Sequence, residues 1–261
     1  AITVLVNFFK PKNSNNTLHI LLSSLLGGFL SLIACLINLG DNISVIMIGA
    51  FMINIPGITI SISIRDVLVD DVVSGSMRLF QSVFITLAIV AGFSVFAWLY
   101  GKEIANPNDA SILCYLLGSG IGTLGFAIIY NSKYKRLPFA VLGGLITATI
   151  YLLLARFTTL NTFFIFLITG FSGAIYSEVM ARVLKGPSIS FMLPSLIPLV
   201  PGSGLFFTIY ELIIRDSAQC INNLLFVVLA ILGIGLGLTL STAIFENLPK
   251  RIMKHKKNNR I

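Results

Sequence analysis

Ile221–Ile244 reads INNLLFVVLAILGIGLGLTLSTAI, a run without a charged residue. A helix needs about 20 mainly apolar residues to cross the hydrocarbon of a bilayer, and this run is long enough. Toward the N-terminus the same character recurs in Leu18–Leu39, Val45–Ile64, Leu79–Tyr100, Ala110–Tyr130, Leu137–Leu154, Thr162–Met180 and Ile189–Ile209. The expected fold is all-α, a polytopic membrane protein of about eight transmembrane helices. The second and seventh stretches are interrupted by Pro-Gly, so each is expected to be broken or partly re-entrant.

Composition excludes a soluble domain. Charged residues make up 11% of the chain and hydrophobic residues 56%, with a mean hydropathy of +0.95. A soluble domain carries about 25% charged residues. The net charge of +8 does not point to nucleic acid, because its placement suits a membrane. Lys250, Arg251, Lys254, Lys256, Lys257 and Arg260 form a basic tail, and Lys133, Lys135 and Arg136 share one short loop. Short basic loops stay cytoplasmic. The loop follows the fourth span and the tail the eighth, so both fall on one side. Lys10, Lys12, Arg65, Arg78, Arg182 and Lys185 fall there too, leaving Lys102, Glu103, Arg156 and Arg215 outside. A basic tail beside anionic lipid gains electrostatic attraction.

Cys35, Cys114 and Cys220 lie in or beside apolar stretches, and their spacing fits no metal motif. They are expected to be free thiols, and neither metal nor cofactor is expected. No nucleophile–base pair or nucleotide motif supports an enzyme. Gly118 and Gly122, and likewise Gly233 and Gly237, are spaced four apart. Small residues at that spacing allow close helix packing, which is their expected role.

Two stretches repeat at an offset of 145 residues: MINIPGITISISIRDVLVDD at 52–71 and IPLVPGSGLFFTIYELIIRD at 197–216. Pro56-Gly57 meets Pro201-Gly202, Asp66 meets Glu211, and Asp71 meets Asp216; Gly28 meets Gly173 at the same offset. Equivalent spans are then five apart in order. An odd number reverses the second copy across the membrane, giving an inverted-topology repeat of the kind secondary transporters use for alternating access. The domains expected are 1–105, holding three helices of the first unit, 106–249 as a five-helix second unit, and 250–261 as a basic cytoplasmic tail. At the same offset Ala1–Phe9 matches the end of the fifth span. The chain thus reads as the last eight helices of a five-plus-five plan, completed by an N-terminal segment or a partner chain.

Paired helix breaks point to a transport site. Pro56, Gly57, Pro201 and Gly202 are therefore candidates, with Asn54 beside the first break; freed carbonyls and half-helix N-termini could hold the two ends of a zwitterionic amino acid. The alternative is a structural kink. Arg65, Asp66, Asp70, Asp71 and Arg78 form one charged cluster, and Glu211, Arg215 and Asp216 its counterpart. If the first helix continues, Asp66 and Asp70 share a face. An acid beside a substrate cavity could carry protons; the alternative is a helix end dressed with surface ion pairs, which are weak. Glu178 is a further candidate, spaced to pair with Arg182 on a helix.

These residues resemble the threonine/serine exporter family of membrane transporters. The match is Met52-Ile53-Asn54-Ile55-Pro56-Gly57, then Arg65-Asp66, Asp70-Asp71, Ser74-Gly75 and Arg78, for the larger domain of that family. Gly120 to Asn131, Gly173-Ala174, Pro187 and Ile197 to Gly202 are similar to its smaller domain. The resemblance covers roughly Ile20 to Leu240. It implies two fused domains, a bacterial plasma membrane, and proton-motive-force-driven export of threonine, serine and small related metabolites. The readings that stay open beside it are a channel, a carrier of another small metabolite, and a structural membrane component; assembly into homo-oligomers is also open.

Overall fold

The structure, a computed structural model, describes residues 16–37, 46, 48–49, 56–100, 111–214 and 216–258. Helices α1 (Asn16–Leu36), α2 (Gly57–Leu68), α3 (Val72–Tyr100), α4 (Ile112–Ile129), α5 (Leu137–Phe157), α6 (Thr162–Val183), α7 (Ile189–Leu196), α8 (Gly202–Ile214) and α9 (Ser217–Asn258) follow in chain order. Short 3-10 turns at Tyr134–Arg136 and Ile197–Leu199 precede α5 and follow α7. No strand occurs among the described residues. Five helical stretches there are long and apolar enough to span a membrane, and six if Ile189–Leu199 and Gly202–Leu212 count as one broken span. This is an all-α, multi-pass membrane protein. Of the expected second span, Val45–Ile64, residues 45, 47 and 50–55 lie outside the described residues, and Ile20–Leu36 is a shorter apolar helix.

The chain divides into two compact units. In the first, Cys35 of α1, Ile89 and Val90 of α3, and Phe206 and Phe207 of α8 make a buried core. Phe206 stacks on Tyr210 with centroids 6.2 Å apart and meets the Phe207 ring edge-on at 5.5 Å. Ser24 of α1 donates to the Ala88 carbonyl of α3 at 3.3 Å, where Gly92 leaves room for α1 to approach.

In the second unit small residues and hydroxyls bring helices together. This suits a bilayer, where lipid tails remove the usual hydrophobic drive and packing rests on close contact and hydrogen bonds. A methyl group on Gly237 would meet the Leu167 carbonyl and the Phe171 amide nitrogen, both at 2.7 Å, and one on Gly233 the Phe163 carbonyl at 2.6 Å. So α9 lies backbone to backbone against α6. Gly118 and Gly122 of α4 do not act this way, because added methyl groups there meet open space; α4 is approached most closely at Thr123, against Gly144 of α5. The buried Thr147 of α5 donates to the Ser195 carbonyl of α7 at 2.6 Å, and the hydroxyls of Ser195 and Ser177 lie 3.1 Å apart. Apolar side chains such as Ile121, 70% exposed, face outward, as they must toward lipid.

Several basic elements meet at one end of this unit. The Arg136 guanidinium lies over the Phe191 ring, 5.9 Å from its centroid, and packs on Gly186. Arg182 caps the Phe245 carbonyl of α9 at 3.3 Å and sits 4.4 Å from the centroid of its ring. The reason lies four residues on. Pro249 has no N–H to give the Phe245 carbonyl, so α6 supplies the donor that α9 lacks.

Candidate functional site

Helices α2 and α8 start at Gly57 and Gly202 and hold 12 and 13 residues. At 1.5 Å per residue each reaches about 18–20 Å, well short of the hydrocarbon thickness of about 30 Å. Gly57, Pro201 and Gly202 are buried and Pro56 half-buried. The carbonyls of Pro56 and Pro201 accept from Ile60 and Leu205, at 2.9 and 3.0 Å. Asn54 lies outside the described residues.

Both helices end in the same way. The Asp71 amide donates to the Asp66 carbonyl at 3.0 Å, and the Asp216 amide to the Glu211 carbonyl at 3.0 Å. The Asp71 carbonyl then accepts from Gly75 at 3.0 Å, and the Asp216 carbonyl from Cys220 at 3.1 Å, opening α3 and α9. Even the packing of the two turns corresponds. A methyl on Gly75 would lie 2.8 Å from the Ser63 carbonyl, while the Cys220 thiol donates to the Thr208 carbonyl at 3.3 Å.

These turns reassign several candidates. Helix α2 stops at Leu68 and Asp70 has φ 68°, so Asp70 does not share a helical face with Asp66. It occupies the left-handed position that closes a helix C-terminus, where glycine or asparagine is usual. Asp70 and Asp71 are exposed. Asp216 is a helix cap: its Oδ1 accepts from the Gln219 amide at 3.2 Å. Glu178 is half-buried on α6, but Arg182 turns to Phe245 rather than to it. Arg78 is exposed near the start of α3, its carbonyl accepting from Ser82 at 2.8 Å. Asp66 and Arg65 are half-buried, and the Arg65 Nε is a buried donor without a hydrogen-bond partner among the described residues.

Glu211 stands apart. It is only 6% exposed, and both its carboxylate oxygens accept from Asn223 Nδ2, each at 2.8 Å. Asn223 was not among the residues expected from sequence. Its one signal there is a polar amide inside the apolar run of α9. Among the described residues no group of three or more His, Cys, Asp and Glu is arranged to hold a metal ion.

A multi-pass bundle with two short helices opening at glycine, and with a buried carboxylate, has the build of a membrane carrier. The family profile described as "Threonine/Serine exporter, ThrE" matches residues 115–244, and a second threonine/serine exporter profile matches residues 1–100. The chain belongs to the threonine/serine exporter family, a family of transporters and not of enzymes. The chain is also 26% identical over 161 residues to "Pheromone-regulated membrane protein 10" of the yeast Zygosaccharomyces rouxii, covering 59% of this chain and 16% of that protein. No solved structure matches.

Proposed function

We propose that the chain exports threonine, serine and similar small amino acids from a bacterial cell, driven by proton entry. The observation that carries this reading is the repeated hairpin. In a chain whose two parts both match exporter profiles, Pro56–Gly75 and Pro201–Cys220 make the same backbone bonds at the same offset. Such a pair fits an inverted-topology repeat with broken helices at Pro-Gly, the plan that supports alternating access. In this reading 1–105 contributes to the first unit, 106–249 forms the second, and 250–261 is a cytoplasmic tail. The starts of α2 and α8, at Gly57 and Gly202, carry the positive ends of their helix dipoles, which suit a substrate carboxylate. Asp66 and Glu211 are the acids available for the ammonium group and the proton. One charge crossing 100 mV yields about 2.3 kcal/mol, enough to concentrate a neutral solute roughly fifty-fold.

Radiolabelled threonine flux in proteoliposomes of the purified chain tests this, with and without an imposed proton gradient. Flux that rises with the gradient and is lost in Glu211→Gln supports it. Flux that ignores the gradient favours a channel.

A further inference from the structure

Resting on the exporter reading for the use made of the proton, we propose that Asn223 is the partner that lets Glu211 exchange a proton inside the bundle. Its amide holds the carboxylate in one orientation and the carboxylic acid in the other.

The chemistry follows from the two groups. An ionised carboxylate only accepts hydrogen bonds, while a primary amide has a donating nitrogen and an accepting oxygen on one carbon. Asn223 Nδ2 sits 2.8 Å from each Glu211 oxygen, so the donating end faces an acceptor-only group. When the carboxylate takes a proton from water, the product is a neutral acid with a new O–H that needs an acceptor. Half a turn of the amide brings Oδ1 to the place of Nδ2 and provides one. A buried charge is removed and the new O–H gains an acceptor, in exchange for the two bonds that Nδ2 makes to the carboxylate. Leaving a buried polar group unmatched is costly, so this pairing removes an obstacle to protonation that an isolated carboxylate, or one beside a donor-only group, would meet.

The repeat supplies an independent argument. At the offset of 145, Glu211 corresponds to Asp66 and Asn223 to Arg78 (66 + 145 = 211; 78 + 145 = 223). The first copy thus carries an acid and a permanent cation, where the second carries an acid and a neutral amide. Guanidinium has no acceptor to offer a protonated acid, whereas an amide has one. Among the described residues, the other ionisable groups on the elements of this unit are Tyr210 on α8, Asp216 in the turn, Cys220 on α9, Arg78 and Tyr100 on α3, and His19 and Cys35 on α1. Cys220 is engaged with Thr208 and Asp216 with Gln219.

The test is infrared difference spectroscopy of the full chain in lipid during acid titration. The carbonyl band of a protonated acid is expected to grow as pH falls and to be missing from Glu211→Gln. In Asn223→Leu it grows at higher pH, because the ionised form has lost its donor, by about one pH unit or ten-fold in proton affinity. Asn223→Ser, which keeps one hydroxyl, moves the midpoint the same way by less, and gives the reading if leucine prevents folding. A midpoint unmoved in the folded variants, or no band that depends on Glu211, overturns the proposal. Flux on the same preparations separates it from the exporter reading. A titrating Glu211 band whose midpoint follows Asn223, in a chain that moves no threonine, sinks that reading and sustains the pair. Gradient-driven flux without such a band does the reverse.

Discussion

The backbone amide of Asp216 donates to the carbonyl of Glu211 at 3.0 Å, closing α8 in a turn that carries its acid back toward α9. The same bond joins Asp71 to Asp66. An i+5 to i bond of this kind satisfies a carbonyl that the helix end would leave open. It also sets the direction in which the next helix departs. The backbones of Asp71 and Asp216 make the turns, and the Asp216 side chain also caps α9.

Asp70→Gly and Asp216→Ala should separate turn from function. Glycine accepts the left-handed backbone at position 70 without the cost borne by a side chain there, about 1 kcal/mol, so the variant is expected to unfold at a higher temperature in detergent. Asp216→Ala loses a cap worth about 1 kcal/mol and should unfold at a lower one. Neither should alter the pH dependence of threonine flux. A changed pH profile in either variant would return these residues to the mechanism.

Gly237→Leu and Gly118→Leu are the same change in two settings. At 237 the side chain would run into the backbone of Leu167 and Phe171, whereas at 118 it meets open space. Overpacking costs about 1–3 kcal/mol, so thermal stability should drop for the first and hold for the second. Equal losses would mean that the face of α4 bearing Gly118 is covered in the folded protein.

Arg182 and Pro249 should be coupled energetically. Arg182→Ala strands the Phe245 carbonyl while position 249 is proline. With Pro249→Ala in place, α9 can supply its own donor, and removing Arg182 should matter less. A double-mutant cycle on unfolding in detergent is expected to give a coupling of about 1 kcal/mol. Additive losses would show that the proline and the arginine act separately.

For Glu211 itself, Glu211→Gln keeps size and removes charge. Gradient-driven threonine flux should fall more than about ten-fold, one pKa-unit equivalent of driving interaction, while exchange of threonine for threonine without a gradient persists. Loss of both would instead assign Glu211 to substrate binding.

The long uninterrupted spans were readable because nothing in them competes with the helix. Ala110–Tyr130, Leu137–Leu154 and Thr162–Met180 were expected, and the helices are Ile112–Ile129, Leu137–Phe157 and Thr162–Val183. Ends set by capping were harder. Helix α3 begins at Val72 rather than Leu79, since the turn at Asp70-Asp71 restarts the helix in polar residues ahead of the apolar run. The pairs Gly118/Gly122 and Gly233/Gly237 look alike in sequence, because spacing defines a face and is silent on whether a neighbour covers it. Asn223 was missed for a related reason. Its partner is 12 residues away on another helix, and no helical period links the two.

Pro249 gains a meaning from the carbonyl it leaves open. Phe245 is held by α6 just where the apolar part of α9 ends, and the basic residues from Lys250 onward follow immediately after the proline. A tail drawn about by charged headgroups will tug on the helix that bears it. Here the tug meets an anchor just inside the proline, like the strain relief on an electrical cable. A pull on the residues beyond Pro249 is thus met at Phe245 before it reaches the apolar part of α9.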